Sequence, residues 1–474
     1  MSEAPPVPVI EEPPAPTVTR SPSDVLRLVV SAVLLLALLV SELWFGETLV
    51  KFAHDLLQGL AAVPAWLLDT VVTFNRLLAL VFLGGGLVVT VLRGRWRFLV
   101  VVAVAGVAAA LLTVVLGPVD PDAARAAAEL DGLVAAGFPT AIGLAVVAAV
   151  ATAAAPWLTR RWRRLAWVLI LLSGFSRFLV APVAFDTLRG LLVGWFAGSA
   201  ALVVFGGPSR RPTGAAVADG LAAAGFPVSK LKRAGVDARG STPYFGTTVD
   251  GRELFVKALG ADERSADLLF RMYRGLVPRN FGDERPFSSL RRAVEHEALL
   301  ALTACSYGLR TPALVTLTTA EPNAFVLAYE RIEGQSLDGV PVSQLTDEFL
   351  RDIWTQVAEL HGFRIAHRDL RLANIFVGTD GAIWLIDFGF SELAARELLI
   401  DTDRAELVAS TASRVGADRA VAAAVAVVGA GALRGIDTRL RPWALSGATR
   451  TALKENKQLL PAVKADVARV TAST

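Results

Sequence analysis

The chain has 474 residues, of which 54% are hydrophobic and 19% charged, with a formal net charge of +3. Soluble proteins carry about 25% charged residues, so this composition predicts that part of the chain lies in lipid. The nearly balanced charge excludes the concentrated basic surface of nucleic-acid-binding proteins, and we expect no nucleic-acid partner. A single cysteine, Cys305, excludes an internal disulfide and suits a reducing compartment.

The first 24 residues are rich in proline and glutamate and show no apolar periodicity. This composition predicts a disordered tail over residues 1–24. The first apolar run starts near Leu28, is long and lacks a small-residue cleavage site. These properties argue against a signal peptide.

Residues 25–206 contain a series of apolar stretches. Most of them approach the length of about 20 residues that a helix needs to cross a bilayer. The stretches are 26–46, 72–92, 98–117, 138–158, 165–185 and 188–206. They predict an all-α transmembrane region of six helices, with the lipid bilayer as its partner.

The charge of the connecting loops predicts the orientation independently. Residues 93–97 carry three arginines and residues 160–164 carry four, whereas 46–70 and 118–131 are acidic. Cytoplasmic loops carry an excess of Lys and Arg, so we expect a multi-pass protein of the inner (plasma) membrane with both termini in the cytoplasm. Arg177 lies within the fifth stretch, either as a functional intramembrane cation or as an interfacial residue that reaches the lipid surface.

The chain changes character after residue 206. Residues 207–234 are rich in Gly, Pro, Ser and Arg, which predicts a basic connector against an anionic leaflet. From residue 235 onward charged and apolar residues alternate as in a soluble domain, and we predict one over 235–450. Residues 451–474 follow as an amphipathic helix or tail. The apolar run 420–432 is too short to cross a membrane and predicts a buried helix.

A turn with small residues precedes a strand that ends in a lysine. Residues 240–246 (GSTPYFG) contain residues whose amides can hydrogen-bond phosphate oxygens: Gly240, Ser241, Thr242 and Gly246. An ordinary hairpin turn explains the segment equally well. A Lys257 side chain on an apolar strand needs a negatively charged partner. The helix predicted after it offers Glu295 and Glu297, of which we favour Glu297.

A second group of polar residues follows a helix that starts at Thr346 and ends at Gly362. Asp369 can orient or deprotonate a hydroxyl group. The carboxamide oxygen of Asn374 can bind Mg²⁺, a cation that prefers oxygen ligands. The apolar strand that follows leads to Asp387, a second oxygen ligand for the same ion.

Residues 360–389, LHGFRIAHRDLRLANIFVGTDGAIWLIDFG, resemble the catalytic segment of the protein-kinase-like superfamily. Residues 325–337 (FVLAYERIEGQSL) resemble its hinge. The resemblance spans about 235–410 and implies a two-lobed α+β fold, with ATP between the lobes and its adenine near Glu330 and Ile332. It further implies that Lys257 contacts the phosphates and pairs with Glu297, that Asp369 is the base, and that Asn374 and Asp387 hold Mg²⁺.

Two departures from that family narrow the class of kinase that we expect. Arg371 stands where Ser/Thr protein kinases usually have lysine, and it is still a phosphate-compatible cation and a catalytic candidate. No Ala-Pro-Glu follows Asp387, and residues 390–410 are predicted to be helical, which removes the peptide-docking platform. In this respect the chain is more similar to the lipopolysaccharide-core and aminoglycoside-type kinases. With its apolar region it also resembles actinobacterial lysylphosphatidylglycerol-synthase-like membrane proteins.

The sequence therefore predicts a multidomain protein, an all-α six-helix transmembrane region followed by a two-lobed α+β protein-kinase-like domain. The expected activity is ATP- and Mg²⁺-dependent phosphate transfer to a hydroxyl of a membrane-associated lipid, glycan or other envelope-related acceptor. One alternative is a catalytically weak or inactive nucleotide-binding module that regulates a membrane-protein partner. In a third interpretation the apolar helices act as a carrier and the kinase-like part is accessory.

Overall fold

The computed structural model describes residues 7–14, 18–60, 96–117, 140–180, 184–209, 211–235, 241–260 and 290–472, with isolated positions 70, 73 and 84. The chain divides into two compact units. The helical unit is Ala15–Arg210, and the mixed unit joins Met1–Pro14 to Arg211–Thr474. The helical unit is therefore an insertion in the sequence of the mixed unit.

The elements are numbered in chain order. The strands are β1 (Val9–Glu11), β2 (Val18–Thr19), β3 (Gly207–Pro208), β4 (Val228–Arg233), β5 (Thr242–Thr248), β6 (Glu253–Leu259), β7 (Leu314–Ala320), β8 (Ala324–Glu330), β9 (Gly334–Ser336), β10 (Ile375–Gly378) and β11 (Ile383–Leu385). The helices are α1 (Pro22–Leu60), α2 (Trp96–Val115), α3 (Ala141–Ala154), α4 (Arg160–Val180), α5 (Ala184–Phe205), α6 (Gly214–Ala223), α7 (Leu290–Ser306), α8 (Asp347–Gly362), α9 (Glu397–Val415), α10 (Ala417–Val428), α11 (Gly447–Glu455) and α12 (Leu459–Ala472).

Three helices in the described part of the chain are long and apolar enough to cross a membrane: Pro22–Trp44, Trp96–Val115 and Asp186–Phe205. They correspond to the first, third and sixth predicted stretches. The fourth forms the shorter apolar helix Ala141–Trp157, the fifth falls in α4, and 72–92 lies outside the described residues except at positions 73 and 84. The six-helix transmembrane region thus stays a prediction.

Close packing of α5 on α3 organises the helical unit. Gly190, Gly194 and Gly198 follow one another at four-residue intervals on α5. A Cβ built on Gly198 would lie 2.6 Å from the carbonyl oxygen of Ala149, and one built on Gly190 would lie 2.9 Å from that of Ala141. Small residues at this spacing let two helix backbones approach closely.

One end of the helical unit is basic and aromatic. The rings of Phe98 and Trp157 lie 5.2 Å apart, so the start of α2 lies beside the residues that lead into α4. Trp96 and Trp162 are 73% and 53% exposed there. The same end carries several arginines with exposed side chains: Arg97, Arg161 and Arg164.

The opposite end of these helices contains a buried charge cluster that the sequence analysis overlooked. Arg189 of α5 is 5% exposed. Its guanidinium lies 2.8 Å from Glu42 and 3.3 Å from Asp186, and it donates to the carbonyl oxygen of Leu116, where α2 ends. It thereby links three helices. Arg177, the cation that the sequence analysis singled out, lies in α4.

The mixed unit is built on a six-stranded sheet with the order β1-β4-β5-β6-β8-β7. Its neighbours are antiparallel except β1 and β4, which are parallel. Side chains alternate across β6, so Leu254 and Val256 are buried on one face and Lys257 lies on the other. Helix α6 packs on the first face through Val217 and Leu221, and α7 packs on the second.

A second core lies between the small sheet β11-β10-β9 and helices α8 to α12. Thr346 caps α8 by accepting a hydrogen bond from the amide of Phe349, as its position predicted. The apolar run 420–432 contributes α10, which is buried in this core. Strands and helices therefore contribute to both cores of the mixed unit.

The boundaries of the predicted segments differ from the structure in three places. Residues 9–11 form β1 instead of part of a disordered tail, because β4 offers them an unpaired edge. The predicted connector 207–234 contains α6 and β4, which bury Leu221 and Leu231 in the sheet core. The segment 451–474, predicted as an amphipathic helix or tail, begins inside α11 and continues as the helix α12, whose apolar side chains complete the second core.

Candidate active site

Three charged side chains from distant parts of the sequence meet in the mixed unit. The Nζ atom of Lys257, on β6, lies 2.9 Å from the Oε1 atom of Glu297 on α7 and 2.8 Å from the Oδ1 atom of Asp387 after β11. The hydroxyl of Tyr329 also donates to Glu297, at 3.1 Å. Glu295, the other candidate, lies on the exposed side of α7, 3.6 Å from Arg291.

The electrostatics of this group favour its charged form. Burial would lower the pKa of Lys257, but the carboxylates of Asp387 and Glu297 outweigh it and hold that pKa above its ordinary value. Burial would raise the pKa of Asp387, but the Lys257 ammonium holds it below its ordinary value. The lysine and its carboxylate partner Asp387 therefore both remain ionised at neutral pH.

The backbone around Asp387 presents its carboxylate toward Lys257. Asp387 has a φ of 71°, a left-handed conformation that is uncommon for aspartate. The preceding carbonyl, of Ile386, lies 3.0 Å from the Nε2 atom of His367. The rings of His367 and Phe388 are 5.1 Å apart. His367 is fully buried, so its ring supports the turn at Asp387 through these two contacts.

Asp369, Arg371 and Asn374 lie together in the loop after α8. The Nδ2 atom of Asn374 donates to the backbone carbonyl of Asp369 at 2.8 Å and to its Oδ2 atom at 2.9 Å. The Nε atom of Arg371 donates to the same Oδ2 atom at 3.2 Å. Burial raises the pKa of Asp369 above its ordinary value of 3.8, and Arg371 and His367 oppose that shift only in part.

The oxygen atoms near Lys257 suit a small hard cation. Asn374 uses its Nδ2 atom toward Asp369, which leaves its carboxamide oxygen as a ligand. Asp387 uses Oδ1 toward Lys257 and keeps Oδ2. The described residues contain no group of three or more His, Cys, Asp or Glu that would form a complete protein cage. Mg²⁺ is usually held by one or two carboxylates together with substrate phosphates, so these residues fit it.

Asp403 of α9 holds this loop in place and was missed by sequence reasoning. Its carboxylate accepts hydrogen bonds from the backbone amides of His367, at 2.5 Å, and Arg368, at 2.7 Å. The Nε2 atom of His361 lies 3.4 Å from it. Asp403 is 1% exposed, and a buried carboxylate must find such partners. The sequence signal that could have revealed Asp403 is an acidic residue within a helix face that is otherwise mostly apolar.

The predicted phosphate-binding turn is only partly a turn. Thr242 and Gly246 are strand residues of β5, paired with Ala258 and Leu254 of β6. Ser241 directly precedes β5, and Gly240 lies outside the described residues. Ser241 is therefore the one of these four predicted residues that lies outside β5 within the described part of the chain. The prediction for 240–246 was shifted because Thr242 and the residues after it fit a pleated strand.

The predicted hinge connects β8 to β9. The amide of Glu330 donates to the carbonyl of Ala313, and that of Arg331 donates to the carbonyl of Glu253. Within the described residues, the backbone groups of Ile332 have no such partner. The open amide and carbonyl groups of Ile332 suit a planar heteroaromatic ligand, whereas the amide of Glu330 is already used. The adenine contact that the resemblance implies near Glu330 and Ile332 stays a prediction.

The segment between Asp387 and α9 is short and forms hydrogen bonds with the loop after α8. A single 3₁₀ turn, Phe388–Phe390, is followed by residues 391–396 and then by α9. Glu392 and Ala366 exchange two backbone hydrogen bonds, and the guanidinium of Arg368 lies 3.3 Å from the carboxylate of Glu392. No extended platform follows Asp387 in this described stretch.

Comparison with known proteins agrees with this geometry. Residues 303–408 match a family model described as the protein kinase domain. The chain is 51% identical over 45 residues to the serine/threonine-protein kinase ppk24 of Schizosaccharomyces pombe, and 40% identical over 63 residues to the serine/threonine-protein kinase kin-29 of Caenorhabditis briggsae. It is also 32% identical over 84 residues to the protein kinase kin1 of S. pombe.

These matches are local. They cover 10%, 12% and 16% of this chain, and the chain spans only 10%, 8% and 9% of the three relatives. The matched family segment nevertheless contains Asp369, Asn374 and Asp387, which the fold brings to Lys257 and Glu297. The C-terminal part of the chain is therefore similar, over residues 303–408, to the protein kinase domain.

Proposed function

We propose that the protein is a membrane-anchored, ATP- and Mg²⁺-dependent phosphotransferase that acts at the cytoplasmic face on a hydroxyl group. The observation that carries the proposal is the contact of Lys257 with both Glu297 and Asp387, beside Asp369 and Asn374. Phosphoryl transfer needs positioned charge around the phosphates more than covalent chemistry. These residues supply that charge within one site.

Each residue has a defined role in the proposal. Lys257 contacts the nucleotide phosphates, and Glu297 keeps the lysine in place. Asn374 and Asp387 hold Mg²⁺, which neutralises negative charge on the phosphates when it is bound. Asp369 accepts the proton of the acceptor hydroxyl, and Arg371 keeps the carboxylate of Asp369 oriented through the contact at 3.2 Å.

The acceptor that we propose is a small molecule, glycan or lipid headgroup, as for the lipopolysaccharide-core and aminoglycoside-type kinases. The short segment 391–396 supports this, because it offers little backbone for an extended peptide. Three apolar helices of membrane-spanning length support an acceptor in the membrane. Confining enzyme and acceptor to one surface raises their effective concentration.

The charge of the helical unit supports the orientation. Exposed arginines and tryptophans at the starts of α2 and α4 suit the cytoplasmic headgroup region of an inner membrane. Cys305, an exposed thiol on α7, can test this. In intact cells a membrane-impermeant maleimide should leave it unlabelled, and after permeabilisation it should react. Labelling of intact cells, absent in a Cys305→Ser control, would place the domain outside the cytoplasm.

The catalytic proposal is tested by γ-phosphate transfer from labelled ATP in a membrane extract. Asp387→Asn and Asp369→Asn should each abolish transfer, whereas Asp352→Asn, an exposed aspartate on α8, should leave it unchanged. A labelled lipid, glycan or protein that disappears with Asp387→Asn identifies the acceptor class. ATP binding without phosphate release in the unsubstituted protein would favour a regulatory nucleotide-binding module instead.

A further inference from the structure

Residues 9–12, Val-Ile-Glu-Glu, lie along the outer edge of β4 as a peptide ligand would. Val9, Ile10 and Glu11 pair in parallel register with Lys230, Leu231 and Lys232. This arrangement is a strand addition, in which backbone hydrogen bonds give affinity and individual side chains give selectivity. We call residues 9–12 the edge segment.

Glu12 provides the selective contact of the edge segment. Both oxygens of its carboxylate accept from the amide of Gly214, at 3.0 Å, at the first residue of α6. One of them also accepts from the hydroxyl of Tyr244, at 3.2 Å. The amides of a helix N-terminus favour a negative charge, and Tyr244, 1% exposed, adds a donor fixed by the core.

The side chain of Ile10 fits against the same residue of α6. A Cβ built on Gly214 would lie 2.7 Å from the Cγ2 atom of Ile10 and 3.1 Å from the carboxylate of Glu12. Only glycine therefore leaves room for both side chains. The site consists of a β-strand edge, a helix N-terminus, one buried hydroxyl and one glycine.

The remaining contacts of the edge segment are weak. Glu11 forms ion pairs with Lys230, at 2.8 Å, and Lys232, at 3.5 Å, but all three side chains are at least 42% exposed. Exposed pairs of this kind contribute about 0–1 kcal/mol. Val9 is 59% exposed. The segment is therefore held by three strand residues and the part-buried carboxylate of Glu12.

The sheet does not need the edge segment to complete its core. The apolar cluster between α6 and the sheet contains Val217, Leu221, Leu231, Leu254 and their neighbours, and none of residues 7–14. The edge of β4 and the N-terminus of α6 can therefore remain folded when the edge segment leaves. The segment also precedes, in the chain, the helix α1, which begins at Pro22.

We propose that the edge of β4 and the N-terminus of α6 form a docking site for an extended peptide with the pattern apolar–acidic–acidic. Residues 9–12 are its exchangeable ligand within the same chain. A second peptide of this pattern then competes with them for the site. The proposal concerns binding alone and stands or falls independently of phosphate transfer.

The test uses the full chain with a protease site in place of residues 15–17. After folding and purification, cutting at this site turns residues 1–14 into a separate peptide. The probe is a fluorescent synthetic peptide of residues 5–14, PPVPVIEEPP. It should bind the cut protein saturably and should not bind the uncut protein, in which the site is occupied.

Peptide variants separate the contribution of Glu12 to binding from that of Glu11. A Glu12→Gln probe should bind about tenfold more weakly, because it loses the charge at the helix N-terminus. A Glu11→Gln probe should change affinity by less than about threefold, because its partners are exposed. Equal affinity of the Glu12→Gln probe and the unsubstituted probe would overturn the assignment.

A receptor variant provides the matching control. Gly214→Ala in the cut protein should lower the affinity for the probe at least about tenfold, because the new Cβ meets Ile10. The helix α6 should still form, because alanine favours a helix more than glycine does. Gly431→Ala, with no atom within 4 Å of the added Cβ, should leave affinity unchanged. Failure of the probe to replace the cut segment, or binding to uncut protein, would overturn the proposal. A dimer of the uncut protein that separates on cutting would instead assign the site to a second copy.

Discussion

Two buried clusters in this chain place one cation between two carboxylates. In the mixed unit Lys257 lies within 2.9 Å of both Glu297 and Asp387. In the helical unit Arg189 lies 2.8 Å from Glu42 and 3.3 Å from Asp186. The two arrangements have the same charge, yet their surroundings give them different roles.

The difference lies in what remains accessible. Asp387 keeps 33% of its side chain exposed beside Lys257, and only its Oδ1 atom is used by the lysine. Glu42 is 7% exposed and Asp186 13%. One oxygen of Glu42 and the Nε atom of Arg189 are buried without a hydrogen-bond partner among the described residues. A buried ion pair is thus a sign of function only where an open ligand atom accompanies it.

The largest expected effect is on turnover at Lys257. Lys257→Met should lower the rate of phosphate transfer about 10²–10³-fold, the usual cost of removing one preorganised electrostatic donor. The variant should still fold, because Tyr329 continues to donate to Glu297. Steady-state kinetics with labelled ATP measure the loss. Lys454→Met, an exposed lysine on α11, is the control, and equal turnover in both variants would contradict the role of Lys257.

The second prediction concerns stability at Arg189. Removing one partner of a buried pair leaves an uncompensated charge, so Arg189→Met should destabilise the helical unit by about 3 kcal/mol. The folded remainder should transfer phosphate at the unsubstituted rate. Thermal unfolding in lipid nanodiscs measures the first quantity, with the exposed Arg164→Met as control.

A compensating substitution separates structure from function in this cluster. In a Glu42→Leu, Arg189→Leu double variant only the carboxylate of Asp186 is left without its cation, so the loss of stability should be smaller than in Arg189→Leu alone, which leaves two such carboxylates. If Arg189→Met instead abolished turnover without lowering the unfolding temperature, the cluster would belong to the functional site and the comparison would fail.

The two clusters also differ in how far the sequence revealed them. Lys257, Asn374 and Asp387 were found because each stands in a local pattern with a chemical meaning. Glu297 was the favoured one of two candidates on its helix, and only the fold distinguishes it from Glu295. Arg189 and Glu42 are 147 positions apart within apolar stretches, and no local pattern connects them.

Other features escaped prediction for the same physical reason. The composition of residues 1–24 predicts a segment that cannot form a core of its own. It does not show that β4, more than 200 residues later in the chain, leaves an edge for residues 9–11. Asp403 reads as an ordinary helical residue until the loop it anchors is folded against it. Contacts across long sequence separations depend on the completed fold.

A third cation, Arg371, extends the comparison to a single carboxylate. Burial raises the pKa of Asp369 and Arg371 lowers it in part. Because Asp369 acts as a base only when ionised, kcat/KM should fall as the pH decreases through a value above 3.8, the ordinary pKa. Arg371→Gln removes the opposing charge, so this limb should move to higher pH, whereas Arg371→Lys should move it less.

The pH profile separates this electrostatic effect from a structural one. A loosened loop would lower kcat/KM at every pH without moving the limb. Asp352→Asn, remote on the exposed face of α8, should leave both the limb and the plateau unchanged. A limb that stays in place in Arg371→Gln would show that the arginine does not tune Asp369.

The smallest expected effect is on kcat, at the partly exposed pair Arg368–Glu392. Arg368 has a φ of 64°, a left-handed conformation that persists only when neighbouring contacts determine it. Asp403 holds its amide, at 2.7 Å, and Glu392 holds its guanidinium, at 3.3 Å. Because Arg368 directly precedes Asp369, Glu392→Gln should lower kcat about three- to tenfold and leave KM for ATP unchanged.

This pair is intermediate between the two clusters in its exposure, since its side chains are 21% and 22% exposed. Neither side chain is among those proposed to contact ATP, Mg²⁺ or the acceptor. The backbone bonds between Glu392 and Ala366 persist in any variant, so a loss of kcat would report the side-chain contact alone. An Arg368→Glu, Glu392→Arg exchange should recover part of the loss caused by either single reversal. Glu455→Gln, exposed on α11, should have no effect on kcat. Without recovery in the exchanged variant, Arg368 would have to orient Asp369 through its backbone alone, and Asp403 would be the carboxylate that positions the base.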